Sequence, residues 1–205
     1  MKHIRIPILF LALALAAAAC VKLGGQPLVK RYYRITPERT AEAVPPQDDT
    51  ILKVRRLSVS ELYDTRELVY QMRDGRIESD FYNLFFVTPG NNLTAELRHW
   101  LAASGRFAHI VEPGSLVVPS LTLEGVVNAL YGDYSSDSPA AVVDMQFFVV
   151  DEATSGNEVI FSGNYHQRVP FAAPDPAQLV QAMTQGVQAI FDQLEQDLKT
   201  APLTR

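Results

Sequence analysis

The chain has 205 residues, with 18 Lys and Arg against 23 Asp and Glu, for a formal net charge of −5. This length supports one domain with a full hydrophobic core and at most a small appendage. The acidic balance argues against nucleic acid as a partner, since phosphate binding needs a clustered basic face, and a single cysteine excludes an internal disulfide.

The first element is a leader. Lys2 and Arg5 precede an apolar run from Ile6 to Ala19, which ends in small residues and Cys20. That order is a secretory signal: a positive n-region, an apolar h-region and a small-residue cleavage site. The run is too short to span a bilayer, which takes about 20 apolar residues. Residues 1–19 are therefore expected to be a signal peptide. The cysteine at its end resembles a bacterial lipobox, although Ala17 stands where a lipobox usually carries Leu. Cys20 is then the lipid attachment residue and the new N-terminus, its thiol carrying diacylglycerol, with palmitate an expected acyl group. Each buried methylene contributes about 0.8 kcal/mol and stable attachment takes more than one chain. The alternative is an ordinary cleaved signal with an incidental cysteine. By resemblance to bacterial lipoproteins, Val21 after the cysteine favours the outer membrane, on its periplasmic face.

Residues 20–49 are expected to form a lipid-anchored N-terminal segment. It comprises a short tether, a first strand at Arg31–Thr36 with aromatic and β-branched character, and a stretch holding Pro37, Pro45 and Pro46 that reads as a linker or a surface crossing. Residues 50–205 are expected to form a single domain. Thr50–Ser60 alternates through Leu52 and Val54, then Leu57 and Val59, with a break at Arg55-Arg56 that a bulge would produce. Asp74-Gly75 between two apolar runs predicts a hairpin whose turn residues both take positive φ. Pro89–Ser104 repeats Leu93, Leu97, Trp100 and Leu101 at helical spacing, with Asn92 or Thr94 as cap and Gly105 as stop. A short strand over Phe107–Val111 and a turn at Glu112–Ser115 follow.

Leu121, Leu123, Gly125, Val127, Ala129 and Tyr131 alternate as one face of a long strand. Ala140–Val150, apolar on both faces, reads as a central strand, and Asp151–Asn157 turns into a third strand over Glu158–Val169. The closing helix begins with Asp175 as N-cap, Pro176 at the first helical position and Gln178 at the capping-box site. Val180, Met183, Val187, Ile190 and Leu194 form its stripe. The predicted fold class is α+β: a mostly antiparallel sheet with two amphipathic helices packed on one face, the last three strands forming a meander.

Motifs of catalysis are missing from the sequence. It contains no G-x-S-x-G, H-E-x-x-H, C-x-x-C or phosphate-binding Gly-Lys loop. His99, His109 and His166 lie apart in the sequence and read as surface or interfacial side chains. Asp133 and Asp137 with Ser135, Ser136 and Ser138 form an oxygen-rich loop, but the spacing of a calcium loop is lacking, so a solvated turn is the reading. Asn92-Leu-Thr94 is a formal glycosylation sequon better read as capping. The expectation is no cofactor, no metal and no enzyme; a periplasmic hydrolase with a nonstandard site is the rival that turnover in an esterase or phosphatase screen would revive. One group invites a binding role: Phe81, Tyr82, Phe85 and Phe86, just before the first helix. They are either core or an apolar surface meeting lipid or a partner protein.

The ordered features resemble the ABC-type transport auxiliary lipoproteins, which include the paraquat-inducible protein C lipoproteins. The likeness rests on the lipobox, Tyr32-Tyr33 with Ile35, the Pro-rich gap, Ile51-Leu-Lys-Val54, Leu62-Tyr-Asp-Thr-Arg66 and Leu68-Val-Tyr70. Asn83-Leu84-Phe85, Leu121–Gly125, the Val142–Asp151 strand and the closing helix continue it, although this chain has no Trp after Asn83 where members often carry one. The resemblance implies a non-enzymatic accessory role in lipid trafficking: docking a periplasmic MCE-domain protein, served by an inner-membrane permease and ATPase, to the outer membrane. Some such lipoproteins form homo-oligomeric rings. The alternative of the same kind is a structural or assembly lipoprotein of another envelope complex, such as secretion or polysaccharide export.

Overall fold

Alternating apolar residues build the longest strands, and their buried face sets the position of everything else. The computed structural model describes residues 29–46, 49–152 and 157–203. Its strands are β1 (Arg31–Tyr33), β2 (Ile51–Val54), β3 (Ser58–Val59), β4 (Glu67–Met72), β5 (Ile77–Phe85), β6 (His109–Val111), β7 (Leu121–Tyr134), β8 (Ala140–Asp151) and β9 (Glu158–Pro170). Two helices, α1 (Pro89–Ala103) and α2 (Pro176–Thr200), complete the described elements. The signal segment, Cys20 and the middle of the 151–157 turn lie outside the described residues.

β7, β8 and β9 form an antiparallel meander with long ladders. On the other side of β7, three short strands lie parallel to it in succession: β2, β3 and β4. β6 extends the sheet beyond β2, and β5 then β1 extend it beyond β4. The fold is α+β with a mixed sheet whose long ladders are antiparallel. The parallel short strands follow from connectivity: β2, β3 and β4 enter from one end and reach β7 only after α1 has crossed the sheet.

The alternation of β8 buries Ala141, Val143, Met145, Phe147 and Val149 completely. In β7 the expected unbroken alternation does not hold. A bulge between Val127 and Ala129 leaves Asn128 outside the ladder, so Leu130 is buried in place of Ala129 and Tyr131. One extra residue turns every later side chain to the opposite face. The Arg55-Arg56 break separates β2 from β3 and drives Leu57 into the core over Gly125, where a Cβ would sit 2.6 Å from Leu57 and 2.8 Å from Phe147. A side chain has no room there.

α2 packs across β7, β8 and β9, and α1 lies beside it over β3 and β6. Trp100 and Phe191 meet edge to face at 5.7 Å between the helices. Asp175 caps α2, accepting from the Ala177 N–H at 3.3 Å. Gln178 reaches past the cap to accept from the Ala173 N–H instead of closing a capping box, because Asp175 N–H is already bonded to the Ala173 carbonyl. The α1 caps also differ from expectation. Thr88 holds the cap position through its carbonyl, which accepts from Asn91 and Asn92. Asn92 and Thr94 are buried and work sideways: Asn92 bonds both the N–H and the carbonyl of Ile35 at 3.0 Å, and Thr94 accepts from the Leu57 N–H at 2.9 Å. Both satisfy backbone groups that no strand or helix partners.

The Pro-rich stretch crosses the surface of the helices. Arg39 makes a two-pronged pair with Glu195 of α2, both contacts at 2.8 Å, with both side chains nearly buried. Val44 N–H donates to the Ala103 carbonyl at 3.2 Å. Burial alone would raise the Glu195 carboxyl, but hydrogen bonds from Arg39 and Lys199 outweigh it and hold it down to about 2.

Candidate functional site

The β4–β5 hairpin positions the aromatic group. Its turn needs positive φ at Gly75 alone (+83°), not at Asp74. Gly75 N–H bonds the Met72 carbonyl, and Met72 N–H bonds the Arg76 carbonyl, giving a three-residue loop closed by a glycine bulge. From there Gln71 pairs with Ile77, Tyr70 with Glu78, Val69 with Ser79 and Leu68 with Asp80. The next residue of β4, Glu67, pairs with Leu84. One step along β4 therefore spans four along β5, and Phe81, Tyr82 and Asn83 leave the β4 ladder.

Asp80 holds this extrusion in shape. One carboxylate oxygen accepts from the backbone N–H of Tyr82 at 2.9 Å and of Asn83 at 3.0 Å. The other accepts from the Asn83 side chain at 2.8 Å and the Tyr70 hydroxyl at 2.7 Å. An Asp side chain gathering N–H groups two and three residues ahead mimics a backbone turn. Burial pushes the Asp80 carboxyl up, but these four donors prevail and leave it below the usual carboxylate range. Burial, then the bond to Asp80, raises Tyr70, so its hydroxyl stays a donor.

β1 completes the face by pairing in parallel with the end of β5, Arg31 opposite Asn83 and Tyr33 opposite Phe85. The Tyr33 hydroxyl donates to Asn83 at 3.1 Å. The result is an exposed aromatic patch. Phe81 and Phe86 are each 62% exposed, with Tyr32 and Tyr82 beside them. Phe81 meets Tyr82 edge to face at 5.1 Å, and Tyr32 meets Phe86 likewise at 6.1 Å. Two cations sit over the rings: Lys30 Nζ at 4.0 Å from the centre of Phe81, and the Arg66 guanidinium at 5.5 Å from Tyr32.

The four aromatics grouped in the sequence thus separate. Phe81, Tyr82 and Phe86 face solvent, whereas Phe85 is 3% exposed and belongs to the core. Lys30 and Tyr32 join the patch because β1 pairs with β5, and Arg66 joins it from just before β4, which sequence reasoning missed. The visible signal was the basic and aromatic run Lys30–Arg34.

The outer face of the sheet is a second surface, where polar pairs lie among the half-buried Val126 and Phe148. Lys53 and Thr122 bond Glu152, Arg55 bonds Glu124, Asn128 and His166 bond Asp144, and Arg168 bonds Asp133. Tyr63 stacks on Tyr131 at 5.6 Å. These are cross-strand pairs, each satisfied by a neighbour. Asp133 also accepts from Ser135 N–H, and Asp137 is paired with Arg73, so both loop carboxylates are engaged by the fold. His99 and His109 are exposed. Among the described residues no group of three His, Cys, Asp or Glu side chains could hold a metal, and no helix is long and apolar enough to cross a membrane.

Similar structures carry the same fold. The crystal structure of protein XCC0632 from Xanthomonas campestris, assigned to DUF330, aligns with TM-score 0.67 at 18% identity, covering 80% of this chain and 92% of that one. A crystal structure of an uncharacterized protein aligns with TM-score 0.65 at 16% identity, over 83% and 99%. The hypothetical protein CT253 from Chlamydia trachomatis aligns with TM-score 0.52 at 8% identity, over 74% and 98%. No curated protein matches. The profile of the ABC-type transport auxiliary lipoprotein component matches residues 33–195, from β1 into α2. The chain belongs to the family of ABC-type transport auxiliary lipoprotein components.

Proposed function

We propose that this chain is a non-enzymatic docking lipoprotein, anchored through acylated Cys20 to the periplasmic face of the outer membrane, and that it serves an MCE-type phospholipid transport system. The family match over residues 33–195 carries this reading, because it makes the folded body an auxiliary transport component. The order of Lys2, Arg5, the apolar run and Cys20 supports the anchor. The body then presents a sheet face of satisfied polar pairs to a periplasmic MCE-domain protein, which works with an inner-membrane permease and ATPase. Charge pairs spread over such a face favour specific orientation over raw affinity.

Cys20→Ala should move the protein from the membrane pellet to the soluble fraction. In-cell crosslinking from the β7–β9 face should capture the MCE-domain protein, and deletion should weaken outer-membrane lipid homeostasis. A Cys20→Ala protein that still sediments with membranes rejects the anchor. A captured secretion or polysaccharide-export component rejects the lipid-transport assignment.

A further inference from the structure

We propose that the β1–β5 edge, through Val29, Lys30, Tyr32, Phe81, Tyr82 and Phe86, rests in the interfacial zone of the bilayer that holds the anchor. This placement builds on the Cys20 reading above and adds an orientation to it. The first observation is reach. Only residues 21–28 separate Cys20 from Val29. Fully extended at about 3.5 Å per residue, they span no more than roughly 30 Å. The body begins within the patch itself, so this edge is the part of the fold closest along the chain to the lipid.

The second observation is chemistry. Amphipathic aromatic rings settle at the headgroup level, and Lys or Arg stems lie along apolar surface while their charges reach water or phosphate. Here Lys30 and Arg66 sit over Phe81 and Tyr32. The rival apolar feature, Leu116-Val117-Val118, is exposed at a loop tip but has no aromatic or cationic residue from Glu112 to Ser120. The third observation is the extrusion. Asp80 spends four hydrogen bonds keeping Phe81 and Tyr82 out of the ladder, where an ordinary register would return the chain to β4. β9, at the opposite edge of the sheet, exposes Ser162, Asn164, His166 and Arg168, with Val159 as its one exposed large hydrophobic residue. With β1 on the membrane, that edge, which carries no exposed aromatic ring, points into the periplasm.

The test uses the full-length lipidated protein on vesicles of phosphatidylethanolamine and phosphatidylglycerol whose acyl chains are brominated near the headgroup. Phe81→Trp, Phe86→Trp, Val118→Trp and Val159→Trp are compared with the parent, whose sole Trp100 is buried. Each sample is also floated on a density gradient to report anchoring separately. The expected result is flotation of all proteins, with the added fluorescence of Phe81→Trp and Phe86→Trp quenched at least about twofold more than that of Val118→Trp and Val159→Trp. Flotation with equal quenching at all four positions overturns the membrane face and leaves the anchor standing. Preferential quenching of Val118→Trp assigns the contact to the loop and overturns the proposal. Failure to float removes the anchor and the face together.

Discussion

The meander half of the sheet and its β1–β5 edge solve opposite problems with the same device. In β7, one extra residue, Asn128, turns the strand over so that Leu130 continues the core after Val127. In β5, three residues leave the β4 ladder under the control of Asp80, and aromatics that could have been core face water. The first irregularity preserves burial and the second forfeits it. Apolar burial is the main source of stability, at about 25 cal/mol per Å². A fold that builds one half around this gain and holds its aromatics out of the other has the arrangement that the proposed membrane contact requires.

Perturbations should rank accordingly. Phe147→Ala removes a fully buried ring that packs near Leu57, Gly125 and Tyr165, and should cost about 3–5 kcal/mol. Urea unfolding measures this; a loss below 1 kcal/mol would mean the meander half is not the stability centre. Arg39→Met leaves Glu195 with Lys199 alone and should cost about 3 kcal/mol, most of it recovered on adding Glu195→Gln. Because the folded Glu195 carboxyl lies well below its ordinary 4.5, the pair stabilises fully above that value. Its contribution fades as pH falls toward about 2, so the cost of Arg39→Met should shrink over the same window.

Asp80→Asn should cost about 2 kcal/mol, since charge-assisted bonds to Tyr70 and to two backbone N–H groups weaken. Amide exchange at Tyr82 and Asn83 should accelerate while exchange in β8 is unchanged; uniform acceleration would make Asp80 a global rather than a local support. Smallest of all, Phe81→Ser with Phe86→Ser should change stability by less than about 0.5 kcal/mol, because both rings are already exposed. A loss comparable to that of Phe147→Ala would assign them to the core and erase the contrast between the two regions.

The closing helix, the meander and the first helix were legible because each carries a long apolar pattern or a terminating signal: Asp175-Pro176, the run of β8 apolar on both faces, Pro89 and Gly105. The parallel packing of β2, β3 and β4 was not legible, since strands of two to six residues have no pattern that names a neighbour. Asn92 and Thr94 misled for a related reason. Their types suit caps, but the groups that needed them were the backbone of Ile35 and Leu57, distant in sequence. The aromatic site was half visible. The cluster at 81–86 stood out, yet nothing local distinguishes Phe85 from Phe86, because which ring turns inward depends on where β5 rejoins β4.

Sequence by itself supplied the expectation of a leader ending at Cys20, and determined the α+β class, the long strands and the family likeness, because periodicity, end signals and residue order are local properties of the chain. Tertiary structure alone decided the register shifts at Asn128 and Phe81–Asn83, the joining of β1 to β5, and the pairing of Arg39 with Glu195. Those depend on contacts between residues tens of positions apart. Side chains alternate along a strand, so a shift made at one such contact moves every residue beyond it to the other face.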